Sequence, residues 1–341
     1  MSTLATNTIT DASGGNTTTI NGYTPTESNM AGRNRIINGD MRIDQRNAGA
    51  SITQSTSNQF PVDRWLVAGD VASKFTAQQS STAPAGFINS LLITSSSAYT
   101  VGASESFILT QYVEGLNVAD FGWGTANATA ITVSFWVRSS LTGTFGGVVR
   151  NSASNRSYPY SYTISAANTW EQKSITIAGD TSGTWLTTNG RGLNLTFSMG
   201  AGASASGTAG AWAGTSYVSA TGAVSVVGTS GATFYITGVQ LEAGSVATPF
   251  ERRLYGQELQ LAQRYFETGT VIWRICAGNG ESDHDVQLTV TKRSNPTFTI
   301  TNQANVTNHS VNSTSLSAAG VNGSGASYQN FSYTWTASSE L

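Results

Sequence analysis

Ile131-Thr132-Val133-Ser134-Phe135-Trp136-Val137 decides the fold class. Apolar and polar residues alternate over its first five positions, which is the period of a strand with one face buried. The alternation recurs in Lys173-Ser174-Ile175-Thr176-Ile177 and in Leu193-Asn194-Leu195-Thr196-Phe197, and Phe234-Tyr235-Ile236-Thr237-Gly238-Val239 adds an apolar run. Glycine-bearing turns such as Gly179-Asp180-Thr181-Ser182-Gly183 separate the runs. Many short strands without interleaved helical patterns imply an all-β chain, a jelly-roll β-sandwich rather than an α/β fold. Trp136 lies in the most strand-like run of all, so its indole is expected inside the sandwich.

Outward from this core, the sandwich is expected to span residues 33–250. Tyr255, Leu259, Ala262 and Phe266 then recur at helical spacing, with Gln257, Gln260 and Gln263 turned away from them. The segment follows Thr248-Pro249-Phe250 and ends near Gly269, so 251–267 reads as a short helical linker. Residues 268–341 return to strands and read as a second, smaller C-terminal β-sandwich. There Phe331, Tyr333 and Trp335 alternate with Ser332, Thr334 and Thr336, which puts the aromatics on one face. At the other end, Thr8 to Ile20 within residues 1–32 reads as strand, turn, strand. It is too short to bury a core alone and is expected to pair with another chain. Gly200 to Gly207 is low in complexity and reads as a flexible loop.

Charge excludes one class of partner. Only 11% of the 341 residues are charged and the net charge is −2, so the basic footprint that nucleic acid requires is absent. The polar surface is built from Ser, Thr, Asn, Gln and Gly, which suits close subunit contact or neutral hydroxyl-rich ligands. Cys276 is the single cysteine, so no intrachain disulfide forms. No stretch approaches the roughly 20 apolar residues of a membrane span, so no membrane insertion is expected. Met1-Ser2-Thr3-Leu4-Ala5-Thr6 has neither a basic flank nor an apolar run and does not read as a signal peptide.

The chemistry-bearing motifs are few. No nucleophile elbow, phosphate-binding loop or paired-histidine zinc motif is present, so no catalytic residue, cofactor or metal is assigned and the chain is not expected to be an enzyme. Glu114, Asp120, Glu171 and Asp180 could serve glycoside hydrolysis, which needs two carboxyl groups roughly 5–10 Å apart. Each, however, reads as belonging to a turn or strand end, and no solenoid period accompanies them. Asp283-His284-Asp285 is the one dense ligand-type cluster, with His309 the only other histidine, and it reads as a solvated loop. Gly179 to Gly183 could offer oxygens to Ca²⁺ but reads as a turn. Gly320-Val321-Asn322-Gly323-Ser324-Gly325 lacks the following helix that phosphate binding needs. Asp63-Arg64-Trp65 reads as an Asp–Arg pair beside a buried indole. Trp273, Tyr328 and Trp335 are the candidate ligand-binding residues, as rings able to stack on sugars. The alternative for the aromatic face carrying Trp335 is core packing.

Several ordered motifs resemble one family. Arg33-Asn34-Arg35-Ile36-Ile37-Asn38-Gly39-Asp40-Met41-Arg42-Ile43-Asp44-Gln45-Arg46 is similar to an opening found in phage tail-fibre and related virion proteins, and Val62-Asp63-Arg64-Trp65 to the element that follows it. The resemblance continues through Thr132 to Ser139, Trp170-Glu171, Gly179 to Trp185, Ala232 to Ser245, Thr248-Pro249-Phe250-Glu251 and Gln263-Arg264-Tyr265. Residues 1–32 resemble the N-termini of short fibre-like proteins of marine phages. The resemblance implies a module like a carbohydrate-binding jelly roll in a structural virion protein of the tail-fibre type, made in the host cytoplasm. It implies a homotrimer that attaches to other virion proteins through residues 1–32 and meets a host-surface glycan or protein through its C-terminal region. A structural adaptor without a receptor role, and a polysaccharide depolymerase, are the alternatives.

Overall fold

The computed structural model describes residues 32–276, 281–304, 306–311, 315–321 and 328–341, without the side chains of 273–285, 302–314 and 316–331. The strand-turn-strand reading of residues 8–20 lies outside the described residues, as does most of the glycine loop at 320–325.

In chain order the first strands are β1 (Ile52–Thr53), β2 (Gln59–Val62), β3 (Trp65–Gly69), β4 (Phe75–Ser80), β5 (Ser90–Ser95), β6 (Ser106–Glu114) and β7 (Ile131–Ser139). They continue with β8 (Gly143–Asn151), β9 (Ser157–Ile164), β10 (Glu171–Ile177), β11 (Arg191–Ala201), β12 (Ser206–Gly207), β13 (Ser219–Ala220) and β14 (Thr233–Ala243). One sheet runs β1-β4-β5-β14-β7-β10 and the other β2-β3-β6-β11-β8-β9, with neighbours antiparallel. The late strand β14 inserts between β5 and β7, and β11 between β6 and β8. These crossings make the two-sheet stack a jelly roll. Helix α1 (Tyr255–Gln263) leads to a smaller all-β region of β15 (Phe266–Cys276), β16 (Glu281–Gln287), β17 (Thr297–Ala304), β18 (Val306–Val311), β19 (Ser315–Val321) and β20 (Tyr328–Ser338). It holds two three-stranded sheets, β15-β20-β17 and β16-β19-β18.

Alternation fills the core as the sequence predicts. Ile131, Val133, Phe135 and Val137 of β7 point inward and are fully buried, facing Leu193, Leu195, Phe197 and Met199 of β11. The same alternation corrects the expectation for Trp136. Its neighbours Phe135 and Val137 take the inward positions, so Trp136 falls on the outer face and is half-buried. It lies over Gly238, where a Cβ would come 3.2 Å from the indole Cδ1. Gly238 also has φ +61°, in the region that favours glycine. The expected loop at 200–207 is corrected too. It forms a single 3-10 turn (Ala203–Ala205), and β12 pairs in parallel with β13.

Residues 34–46 form a strap that the sheets and α1 clasp. The Arg35 amide donates to the Leu241 carbonyl (2.8 Å) and the Val239 amide to the Gly39 carbonyl (2.9 Å). Asn38 holds positive φ (57°). Its amide nitrogen donates to the carbonyls of Ile43 (2.8 Å) and Asp63 (2.9 Å), and its side-chain oxygen accepts from the Ile43 amide. The buried Trp65 indole donates to the Asn38 carbonyl at 2.9 Å. These hydrogen bonds give residues 34–46 a structural role in the fold.

Asp63 and Arg64 do not pair with each other, which corrects that reading. Asp63 accepts from Gln45 (2.7 Å) and lies 3.4 Å from Arg46. Arg64 instead reaches Glu340 and stacks on Tyr265, 3.6 Å from the ring centroid. Its positive φ (70°) turns the side chain away from its neighbour and toward the C-terminal region. Around it the junction is dense. Glu114 receives Arg264 (2.7 and 3.0 Å) and the Tyr265 hydroxyl (2.6 Å), and Arg293 donates to the Asn189 carbonyl at 2.9 Å. The face that α1 turns inward carries buried Glu258 and Ala262 with half-buried Leu259, while Tyr255 is 55% exposed. Glu258 takes the place expected of Tyr255 because it accepts the Asn38 backbone N–H.

Candidate functional site: the outer face of the second sheet

Outward positions on the central strands of the second sheet form a polar row. Register places Tyr112 of β6 opposite Asn194 of β11, and Asn194 opposite Arg150 of β8. Leu193 and Leu195 on either side of Asn194 are core, so strand alternation turns Asn194 outward. A register shift between Arg191 and Leu193 brings Arg191 into the same group. Its guanidinium lies 4.6 Å from the Tyr112 ring centroid and donates to the Ser152 carbonyl at 2.8 Å.

The excursion between β11 and β14 roofs part of this face. A Cβ on Gly146 of β8 would meet the Ser219 hydroxyl and the Ala220 amide, so β13 lies directly on the sheet there. From the same excursion Ser216 accepts from Arg150 at 3.1 Å. Farther along β11, Ser198 is buried, and Gly200 sits beneath Ser225 and Val227. The end at Asn194 is more open, since Tyr112, Arg150 and Arg191 are all half-buried.

Buried polar atoms without a hydrogen-bond partner occur on this face, as they do at the Nε of Arg35 on the strap and of Arg64 at the junction. Asn194 is 1% exposed, yet its Oδ1 has no partner, and neither does the buried Arg150 Nε. Such groups each cost about 1–3 kcal/mol, and each calls for an explanation such as a bound ligand or water. Burial pulls the Arg150 guanidinium below its ordinary pKa, with nearby Arg191 pulling the same way and Tyr112 opposing. An aromatic ring, an amide and two guanidinium groups on a rigid sheet can stack on and hydrogen-bond a ring-shaped polyhydroxylated ligand.

No protein-family model matches the chain. No curated protein matches it either. Among solved structures it is similar to the enzymatically active domain of tailspike protein 4 of bacteriophage CBA120, at 13% identity and a TM-score of 0.33, over 62% of this chain and 21% of that one. A putative sugar binding protein from Bacteroides thetaiotaomicron aligns at 12% identity and a TM-score of 0.37, over 62% of this chain and 100% of the other. A family 11 carbohydrate-binding module from Clostridium thermocellum aligns at 12% and 0.30, over 57% and 98%. The chain thus spans about a fifth of the tailspike chain. Likenesses this distant assign no ligand or residue role here.

The rings expected to bind ligand are not brought together at this face. Trp335 is 4% exposed and stacks on Phe298 at 5.6 Å within the core of the C-terminal region, beside Tyr333. The core alternative applies to it, because strand alternation turns Tyr333, Trp335 and Ala337 inward together. The side chains of Trp273 and Tyr328 lie outside the described residues. So do those of Asp283, His284 and Asp285, whose backbone forms β16 instead of a loop. Among the described residues no group of three metal-ligating side chains occurs.

The four acids considered for hydrolysis each have a structural partner. Asp180 takes both Arg156 nitrogens (2.6 and 2.8 Å) and the Trp185 indole N–H, Asp120 pairs with Arg35, Glu171 with Lys173, and Glu114 with Arg264. Asp180 and Arg156 thereby fix Trp185 against Trp123 (4.6 Å, 78°), at the rim of an apolar cavity of about 140 Å³ lined also by Phe121 and Leu186. The sequence did carry a signal for the polar row. Asn194 and Thr196 are the outward positions of a run already read as a strand, and Arg150 closes the run Val148-Val149-Arg150.

Proposed function

We propose that the chain is a structural attachment protein of a phage particle that holds a saccharide on the outer face of its second sheet. The row Tyr112–Asn194–Arg150, with a buried acceptor lacking a protein partner at its centre, carries the ligand part of this reading. The ordered motifs over residues 33–266 and a surface poor in charge support the virion part. The burial of Trp335, the one terminal candidate ring with a described side chain, supports a site on the sandwich over one at that ring. In this proposal the protein is a non-enzymatic homotrimer, and residues 1–32 join it to the particle.

The test is an array of bacterial polysaccharides probed with the full chain and with Asn194→Ala and Tyr112→Ala. Retention of specific polysaccharides by the parent, weakened at least tenfold in both variants, is the expected result. Equal binding by both variants would move the site elsewhere. Mass measurement in solution tests the trimer, and deletion of residues 1–32 tests incorporation into particles.

A further inference from the structure

We infer that the saccharide received at this face is anionic, its oxyanion held between Arg150 and Arg191; the inference rests on the glycan reading of the same site and deepens it. Charge pairing is the first observation. Arg35, Arg42, Arg46, Arg64, Arg156, Lys173, Arg253, Arg264 and Lys292 each lie within ion-pair distance of a carboxylate. Arg150 and Arg191, like Lys74, Arg138, Arg252 and Arg293, have no carboxylate within ion-pair distance among the described residues, but Arg150 and Arg191 stand together on one sheet face. The acid opposite Arg191 in register is Glu114, and Arg264 and Tyr265 already occupy it.

The two cations also share a neighbourhood. Arg191 lies on the Tyr112 ring, Tyr112 is one strand from Asn194, and Arg150 is one strand farther. Among the described residues each guanidinium hydrogen-bonds neutral oxygens, Arg150 that of Ser216 and Arg191 that of Ser152, and the Arg150 Nε has no acceptor. Like charges gathered on a half-desolvated face oppose each other. In a chain with 11% charged residues, the two stand there with hydrogen bonds to Ser216 and Ser152 and no ion pair to offset their opposition. A carboxylate or sulfate would relieve the repulsion and engage planar donors that bind oxyanions in forked geometry. The Tyr112 ring beneath Arg191 and the buried Asn194 amide stand in the same row as the two guanidinium groups, so an oxyanion held there would carry its sugar over that row.

Calorimetry at low ionic strength tests the inference on the full chain. The charged probes are polygalacturonate, alginate and dextran sulfate, and the uncharged ones are methyl-esterified polygalacturonate, dextran and galactan. At least tenfold tighter binding of one charged probe than of the uncharged set is expected. Whether a uronate polymer or the sulfated one binds distinguishes carboxylate from sulfate. Arg150→Gln and Arg191→Gln should each lose tenfold or more while keeping a thermal midpoint at or above the parent's. Arg138→Gln, a non-ion-paired arginine on the opposite sheet, should bind like the parent. Preference for an uncharged probe, with both site variants unaffected, overturns the anionic inference and leaves the glycan reading standing. An equal loss in Arg138→Gln also overturns it, by showing diffuse attraction. Binding of no probe, charged or neutral, overturns both.

Discussion

Phe135 and Phe197 meet edge to face across the two sheets, ring centroids 5.0 Å apart at 79°. Both are fully buried, so the contact joins β7 to β11 through the middle of the core. Phe135→Ala should therefore cost about 3–5 kcal/mol of stability. Trp136→Ala, one residue on but facing outward, should cost only about 1–2 kcal/mol. Urea unfolding of the pair measures the contrast, and equal losses would contradict the assigned facing.

The runs around Val133 and Leu195 made the sandwich legible, because a period of two survives any choice of partner strand. Facing was less legible at Trp136. Hydrophobicity argued inward while parity with Phe135 argued outward, and parity holds because the backbone alternates regardless of side-chain size. The partner of Arg64 was not legible at all. Glu340 lies 276 positions away, and only tertiary folding places it there. The polar row at Asn194 was half legible: alternation marks it as outward, but the register with Tyr112 and Arg150 does not follow from local pattern.

Asp63 gives a pH signature. Burial raises its pKa from 3.8 to about 6, against the opposing pull of Arg46 and the Gln45 hydrogen bonds. A folded pKa above the unfolded one contributes stability that is fully present below about 4 and is lost as pH rises through about 6. Asp63→Asn removes that dependence. Relative to the parent it should gain about 3 kcal/mol between pH 4 and pH 7, read from chemical denaturation at several pH values.

Glu114 gives the opposite sign. Burial pushes its carboxyl up, but hydrogen bonds from Arg264 and Tyr265, with the charge of Arg264, together hold it below the ordinary value. Its contribution is present above the unfolded pKa and is lost as pH falls through the folded one. Glu114→Gln should destabilise at pH 7 by about 3 kcal/mol. The deficit should shrink in acid, which thermal melts below pH 4 would record.

Glu340 fastens the C-terminal region to the sandwich. It pairs with Arg46 at 2.8 Å and with Arg64, whose side chain is 2% exposed. Removing the carboxylate strands a buried guanidinium, a change that costs about 3–5 kcal/mol in comparable settings. Glu340→Gln should lower the thermal midpoint. Arg64→Met with Glu340→Gln should recover part of the loss, because the unpaired charge is then gone. A double variant as unstable as the single one would show that the pair holds the junction by packing alone.

The polar row should show a trade between stability and binding. Asn194 keeps a buried oxygen without a partner, and Arg150 and Arg191 oppose each other on the same face. The unpaired oxygen and the opposition of like charges each cost the free protein stability, so relieving either should stabilise it. Asn194→Val removes the unpaired oxygen and places a β-branched residue on a strand. Arg191→Gln removes one of the opposing charges. A gain of about 1 kcal/mol corresponds to a midpoint roughly 2–4 °C higher in a domain of this size. Both variants should therefore melt above the parent and bind polysaccharide less tightly. A variant that melts lower and binds as well as the parent would mean that the row serves the fold, with its unpaired atoms met by ordered water.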